Sequence, residues 1–294
     1  MPLLGEIAAL VTAALWSVSA LVFDGATRRI GSQLTNISRL TISSLLLLIT
    51  IVIARWFMPI PVTDVLLLVI SGWIGLLFGD GFLFKAFQLI GVRISMLIMS
   101  LVPAVSALMA FFFLKENLTP TVIFGMVVTL GGIMIVVGGG KPEDKRKMTF
   151  FGIFCAVMGA VGQAGGMLFA KAAFSHGEIN SFVASFIRLS SSVMLYLPFM
   201  LIARSYVSPV KLFRTDSKSF YLALAGAVLG PYFGMTLSLV AVKNTSVGIA
   251  STLMATTPVL MLPILHYYQK EKINLRGIIG SIVAVVGVAI LFLH

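Results

Sequence analysis

The chain has 294 residues, of which 59% are hydrophobic and 11% are charged, and its formal net charge is +11. An average soluble domain carries roughly 25% charged residues. This composition cannot cover a water-facing surface, and it predicts an α-helical membrane protein with many spans. Basic excess favours nucleic-acid binding in a soluble protein, but here Lys and Arg stand mostly between apolar runs, where they set membrane topology. We therefore expect no nucleic-acid partner.

Ten apolar segments divide the sequence, each near the roughly 20 residues that cross a hydrocarbon core. In the first half they are 5–23, 33–55, 64–88, 93–114 and 120–138. In the second half they are 150–173, 180–203, 219–241, 247–268 and 275–293. The first segment carries Glu6 where a signal peptide would carry basic residues, so we interpret it as a retained helix.

A short pattern occurs twice in the chain at a constant spacing. Pro103, Lys115-Glu116, Gly125 and Gly132 recur 155 positions later as Pro258, Lys270-Glu271, Gly280 and Gly287 (258 − 103 = 155). The pattern indicates two copies of one unit, residues 1–140 and 149–294, joined by a basic linker at 141–148. Because each copy has five spans, an odd number, the second copy enters the membrane from the opposite side. The sequence therefore predicts ten transmembrane helices as two inverted five-helix repeats around a central cavity, an arrangement typical of transporters.

These residues resemble the signature of a known family. The stretch from Gly91 to Val137, with Lys115-Glu116-Asn117-Leu118 and Gly131-Gly132, is similar to the EamA-type signature of the drug/metabolite transporter superfamily. Ala14-Leu15-Trp16-Ser17 resembles the motif of its first helix, and Ser38-Arg39-Leu40 resembles the arginine of its second. The resemblance covers both copies. It implies a multi-pass protein of the plasma or inner membrane that carries small metabolites or amphipathic compounds, usually outward, by secondary transport.

Asp80 is the one carboxylate near the middle of a predicted span. A carboxylate at this depth needs a partner, a wet cavity or a proton. Asp80 is therefore a candidate for proton or cation coupling or for contact with a substrate amine, and the alternative is a structural salt bridge. Because the second and third spans run antiparallel, Arg39 and Lys85 are expected at a similar depth. We predict a charge cluster of these three residues, which could also act as a gate.

Arg188 is the repeat mate of Arg39 (188 − 39 = 149). The mates of Asp80 and Lys85 are Met235 and Val240, so the second half offers no acid in the middle of a span. Arg188 is expected either to extend toward the membrane interface or to meet an anionic group.

Pro103 and Pro258 stand near the centres of the fourth and ninth spans, where proline removes a backbone hydrogen bond and bends a helix. We predict hinges at both positions, with a static packing kink as the alternative. Met99 and Met254 precede the two prolines by one helical turn. They would give an adaptable apolar wall, unless they serve packing alone.

Trp16, Gln163 and Tyr232 are further residues in the middle of spans that carry a polar group. The family resemblance implies a cavity lined by the first, third, fourth, sixth, eighth and ninth helices, and these three residues lie on such helices. The predicted substrate contacts are Trp16, Asp80, Met99, Gln163, Tyr232 and Met254.

Motifs for other chemistry are missing from the sequence. Cys155 is the only cysteine, the three histidines are scattered, and no cluster has metal-ligand spacing. We expect no metal, no cofactor and no enzymatic activity. The expected partners are a small-molecule substrate, membrane lipid and a coupling proton, and the protein would be a monomer or a homodimer. The competing interpretation is a non-transporting membrane sensor or a lipid-handling scaffold.

The orientation in the membrane stays open at this stage. Lys and Arg are concentrated in the predicted loops on the side opposite the termini, and the positive-inside rule makes that side cytoplasmic. The family resemblance instead implies cytoplasmic termini.

Overall fold

The computed structural model describes residues 3–115, 119–138, 149–175, 177–202, 204, 206–269 and 275–291. Every regular element within these ranges is a helix, so the predicted all-α class is confirmed. The linker predicted at 141–148 and the Glu116-Asn117-Leu118 and Lys270-Glu271 stretches lie outside the described residues.

The first half forms six helices. They are α1 (Leu4–Ile30), α2 (Ser32–Ala54), α3 (Val62–Gly72), α4 (Asp80–Met99), α5 (Val102–Leu114) and α6 (Pro120–Gly138). A π-helical segment, Trp73–Gly79, joins α3 to α4. Gly31 separates α1 from α2, and Gly91 interrupts α4; both have φ of +82°, which a residue without Cβ adopts at low cost. Glycine at these two positions therefore ends one helical run and starts the next.

The described residues of the second half form eight helices. Its helices are α7 (Phe150–Phe174), α8 (Ser181–Ile202), α9 (Pro209–Thr215), α10 (Ser217–Ala227), α11 (Met235–Asn244), α12 (Val247–Met254), α13 (Thr257–Gln269) and α14 (Leu275–Leu291). A second π-helical segment, Val228–Gly234, joins α10 to α11, 155 residues after the first (228 − 73 = 155). The side chains of Thr149, Asp216 and Ser246 cap α7, α10 and α12 by accepting a backbone N–H.

Within the described residues, six helical segments are long and apolar enough to cross a membrane. They are Leu4–Ile30, Ser32–Ala54, Val62–Val92, Phe150–Phe174, Ser181–Ile202 and Ser217–Asn244. Four more apolar helices are shorter: Val102–Leu114, Pro120–Ile135, Val247–Met261 and Leu275–Ile290. The chain is therefore a multi-pass integral membrane protein.

A polar contact joins the two halves at one end of the bundle. Arg29, at the end of α1, pairs with the Asp216 carboxylate at 3.0 Å, and Ser219 donates to the same carboxylate. Hydrogen bonds from Ser219 and Arg29 lower the pKa of Asp216 to about 2. The carboxylate therefore stays ionised at neutral pH and holds the start of α10 against α1.

The glycines of α6 and α14 allow these two helices to pack closely. A Cβ on Gly132 would overlap the backbone of Ala284, and one on Gly287 would overlap the backbone of Thr129. The neighbouring Gly131 has nothing within 4 Å of its Cβ position. Close approach thus depends on Gly132 and not on Gly131.

We expect Gly132→Ala to destabilise the protein, because its methyl group meets backbone and the two helices must move apart. Overpacking of this kind costs about 1–3 kcal/mol. Gly131→Ala is the matched control and should be neutral or stabilising by up to about 1 kcal/mol, since alanine favours a helix more than glycine does. Thermal unfolding of the purified protein in detergent measures both. Equal melting temperatures for the two variants would contradict this packing.

Candidate substrate-binding site

Close backbone contact between two elements places the central polar side chains. A Cβ on Gly162 of α7 would lie 2.6 Å from the Cα of Gly79, the last residue of the first π-helical segment. Real Cβ atoms do not come this close, so the contact requires glycine at position 162, and a Cβ on Gly79 would itself meet the backbone of Gln163 at 3.1 Å. Asp80 and Gln163 follow these two glycines directly in sequence. The glycine contact therefore brings the Asp80 carboxylate within reach of the Gln163 amide.

Asp80 is the centre of a buried polar cluster. Its Oδ2 accepts from Arg39 Nη2 in an ion pair, and its Oδ1 accepts from Gln163 Nε2. The side chains of Arg39 and Asp80 are each only 6% exposed. Arg39 Nε donates to Asn36 Oδ1 at 3.0 Å, and its guanidinium lies 4.8 Å from the ring centroid of Phe84. Both charges are thus stabilised by protein groups, as buried ions require.

A cavity of about 140 Å³ lies beside this cluster. Since one water needs roughly 10–15 Å³ of such space, it has room for about ten waters or one small organic molecule. Its walls come from α1, α2, α4, α5, α7, the second π-helical segment, α11, α12 and α13. Five of the six predicted substrate contacts line it together: Trp16, Asp80, Met99, Gln163 and Met254.

Methionines form a large part of the cavity wall. Those that line it are Met96, Met99, Met167, Met235 and Met254. Sequence analysis missed Met96, Met167 and Met235 as wall residues, although helical spacing could have found the first two. Met96 stands three residues before Met99, and Met167 stands four residues after Gln163, so each shares a helix face with a predicted residue. The flexible thioether side chains give the cavity an adaptable apolar surface.

An aromatic cluster lines the cavity next to Arg39, and sequence analysis missed it as well. Phe84 stacks edge-to-face with Phe23 and Phe87, at centroid distances of 5.5 and 5.6 Å. The Arg39 guanidinium also lies 5.5 Å from the centroid of Phe23. No periodicity in the sequence pointed to these rings, because their contact depends on how α1, α2 and α4 pack. They shield the ion pair with apolar surface.

Two of the wall elements are interrupted helices. Residues 100–101 separate α4 from α5, and residues 255–256 separate α12 from α13. Pro103 and Pro258 each stand second in the helix that follows the break, where proline costs no intrahelical hydrogen bond. The expected bends at the two prolines are thus breaks in the helix, placed at matching positions of the two copies. That the prolines act as hinges remains a prediction.

Lys85 does not join the predicted charge cluster. It is exposed and lines a separate crevice near the ends of α1 and α7. Five residues separate it from Asp80, which at 3.6 residues per turn turns it about 140° around the helix. Lys85 is close to Asp80 in depth but lies on another face of the helix. Gln163 occupies the place beside Asp80 that was expected for Lys85.

Tyr232 lies away from the cavity wall, contrary to our expectation. Its hydroxyl is 2.7 Å from Thr50 Oγ1, and its ring packs 4.6 Å from the ring centroid of Phe233. The preceding residue, Pro231, lines the cavity instead. Successive residues of a helix point about 100° apart, and here that rotation carries the Tyr232 side chain toward Thr50 of α2.

Arg188 is buried, with 2% of its surface exposed, and does not reach the membrane interface. The negative charge of Asp80 acts on it from a distance. Among the described residues, however, its side chain makes one hydrogen bond, a weak one from Nη1 to Met235 Sδ at 3.5 Å. Asp80 is therefore an anionic group near Arg188, as one of the two expectations required, but it does not pair with Arg188 directly.

Many apolar helices around a central cavity with buried charges are the architecture of a membrane transporter. The sequence model of the EamA-like transporter family matches residues 3–138 and again residues 150–293. The chain belongs to this family, which is part of the drug/metabolite transporter superfamily, and the resemblance seen in the sequence is confirmed. It is a protein of the cell membrane.

Two further comparisons agree with this assignment. The chain is 25% identical over 255 residues to the uncharacterised transporter YetK of Bacillus subtilis (strain 168), which covers 83% of this chain and 73% of the relative. A crystal structure described only as that of a protein superposes with a TM-score of 0.77 at 18% identity, over 97% of this chain and 94% of its own. The second likeness concerns the fold alone.

We expect Arg39→Gln to lower stability strongly and Lys85→Gln to leave it nearly unchanged. Loss of the guanidinium strands the buried Asp80 carboxylate, which costs roughly 3–5 kcal/mol. Lys85 is exposed, and surface substitutions usually stay within about 0.5 kcal/mol. Thermal unfolding in detergent measures the difference. A larger loss for the Lys85 variant would show that Lys85 does pair with Asp80.

Proposed function

We propose that this protein is a secondary transporter that exports small organic metabolites by alternating access. The observation that carries the proposal is the central cavity, walled by two helices that break at matching positions and flanked by a buried ion pair. Interrupted helices at equivalent positions of two repeats mark the substrate site in many secondary transporters. Leu101 and Ala255 keep right-handed φ and ψ angles, so each break is a turn between two helices that line the cavity.

We infer ten crossings arranged as two inverted five-helix repeats. The four shorter apolar helices supply the crossings beyond the six long ones. Two of them, α6 and α14, run without a break for 19 and 17 residues, and α14 extends about 26 Å at 1.5 Å per residue, close to the roughly 30 Å of a hydrocarbon core. The π-helical segments and the helix breaks each recur after 155 residues (255 − 100 = 155), which supports the duplication.

Amino acids or related amphipathic compounds are the proposed cargo. Five methionines and Trp16 offer a large, flexible apolar surface, and the Asp80 cluster offers a polar end to the same cavity. The volume suits a molecule of this size. Outward direction follows the family resemblance.

Proton coupling through Asp80 is the proposed energy source. A proton that arrives on the carboxylate removes its charge and competes with Arg39 and Gln163 for its oxygens. The contacts between α2, α4 and α7 would then weaken. An ion pair that forms in one state and breaks in another is a suitable bistable element for alternating access.

The rival function is a membrane sensor or lipid-handling scaffold that does not transport. The observation in its favour is that both Asp80 oxygens already have protein partners, as in a static lock between helices. The transporter and the scaffold predict different effects of neutralising the Asp80–Arg39 ion pair.

In proteoliposomes loaded with a panel of radiolabelled metabolites, we expect an imposed pH gradient to drive flux by the wild-type protein. Asp80→Asn should abolish this driven flux, because the side chain can no longer exchange a proton. The double variant Asp80→Asn/Arg39→Gln removes both charges, so it should regain the stability that either single change loses and should still lack driven flux.

The double variant is also the control for misfolding. A double variant that is stable and transports as well as wild type under the gradient would contradict coupling through Asp80. Absence of flux by the wild-type protein for every class of metabolite would favour the scaffold.

A further inference from the structure

The two repeat-related arginines have different surroundings at one position. In the first half, Asn36 stands three residues before Arg39 and accepts from its Nε. The mate of Asn36 is Ser185 (185 − 36 = 149), which stands three residues before Arg188. The serine hydroxyl is shorter than the asparagine amide. The support that the first half gives to its arginine is therefore missing from the second.

Ser185 and Arg188 together leave a buried polar gap. Ser185 is fully buried, and Arg188 is 2% exposed. Neither Ser185 Oγ nor Arg188 Nε has a hydrogen-bond partner within the described part of the chain. Residues three apart on a helix share a face, so the two unpaired groups lie on the same side of α8. Unpaired buried polar groups are costly, so an oxygen atom of a ligand that reached both groups would be bound favourably.

The charge balance around Asp80 favours a negatively charged occupant. Arg39 and Arg188 supply two guanidinium groups, whereas Asp80 supplies one carboxylate. That carboxylate already forms a direct ion pair with Arg39. The three side chains carry a net charge of +1 as a group (2 − 1 = 1). One further monoanion would balance it. A buried arginine without a direct counterion is costly and is usually kept for a function.

Met235 connects this gap to the cavity. Its Sδ lies 3.5 Å from Arg188 Nη1, and Met235 is itself part of the cavity wall. A methionine side chain has three rotatable bonds and can change rotamer without disturbing the backbone. Movement of this thioether would expose the Arg188 guanidinium to a molecule in the cavity.

We propose that Ser185 and Arg188 bind the carboxylate of the substrate, whose apolar part lies among the methionines. This inference rests on the proposed transport function and narrows its cargo to small amphipathic carboxylates. The Arg188 N–H groups donate to the carboxylate oxygens, and the Ser185 hydroxyl donates to one of them.

The test uses a matched pair of probes, 3-phenylpropionate and its neutral isostere 3-phenylpropionamide. Binding to the purified full-length protein is measured by isothermal titration calorimetry. We expect the acid to bind wild type at least tenfold more tightly than the amide. Arg188→Gln should weaken binding of the acid about ten- to a hundredfold, and Ser185→Ala should weaken it about two- to tenfold. Binding of the amide should change little in either variant.

Ser38→Ala is the matched control. Ser38 Oγ is also buried and unpaired, but it lies in α2 beside Arg39. Its removal should leave binding of the acid unchanged. Ser185→Ala removes an unpaired hydroxyl and should not lower the melting temperature, so the test does not depend on the Arg188 variant folding.

The outcomes separate this site from transport itself. Equal binding of acid and amide, with no effect of Ser185→Ala or Arg188→Gln, means that a structural water occupies the gap and overturns the inference. Metabolite flux in proteoliposomes that 3-phenylpropionate does not inhibit also overturns it, while transport stands. Acid-selective binding that depends on Ser185 and Arg188, without flux of any metabolite, supports the site and contradicts the transport function.

Discussion

The buried carboxylate of Asp80 constrains the rest of this structure. Asp80 is surrounded by membrane-length helices and can remain charged only if the protein replaces its water. Arg39 of α2 and Gln163 of α7 do so, and they belong to different halves of the chain. The cluster therefore fixes how the two halves meet at the centre. For this reason we propose Asp80 as the residue whose protonation would change the contact between the halves.

Glycine makes this arrangement possible. The contact of Gly79 with Gly162 brings two helix backbones closer than a side chain at position 162 would permit. Asp80 follows Gly79 in the sequence, and Gln163 follows Gly162. In a membrane, close backbone approach and buried polar contacts stabilise helix association in place of the hydrophobic effect. The same elements that hold the bundle together thus also create its central polar site.

The sequence predicted well how deep a side chain lies in the membrane, and it predicted poorly which face of its helix the side chain occupies. Hydropathy places residues along the membrane normal, and Asp80, Gln163 and Met254 indeed share one cavity. The direction of a side chain depends on the rotation of its helix and on the neighbouring helices. For this reason Lys85 does not reach the charge cluster and Tyr232 does not line the cavity, although the sequence had predicted both positions.

Local irregularity limits prediction in a similar way. The π-helical segments and the breaks at 100–101 and 255–256 were not visible in composition, although proline marked the second helix of each break. The unpaired Nε of Arg188 follows from the packing of α8 against its neighbours. It could be seen only by comparing the two halves within the structure.

The central claim is that one cavity between the two halves opens to each side of the membrane in turn. Cys155 is the only cysteine, so Cys155→Ala gives a background without thiols. A single Ala255→Cys change then places a thiol at the helix break in the cavity wall. Membrane-impermeant maleimide, applied to right-side-out and inside-out vesicles, should label this position from both sides, with a balance that shifts as pH changes. Labelling from one side alone under every pH and metabolite condition would contradict the account.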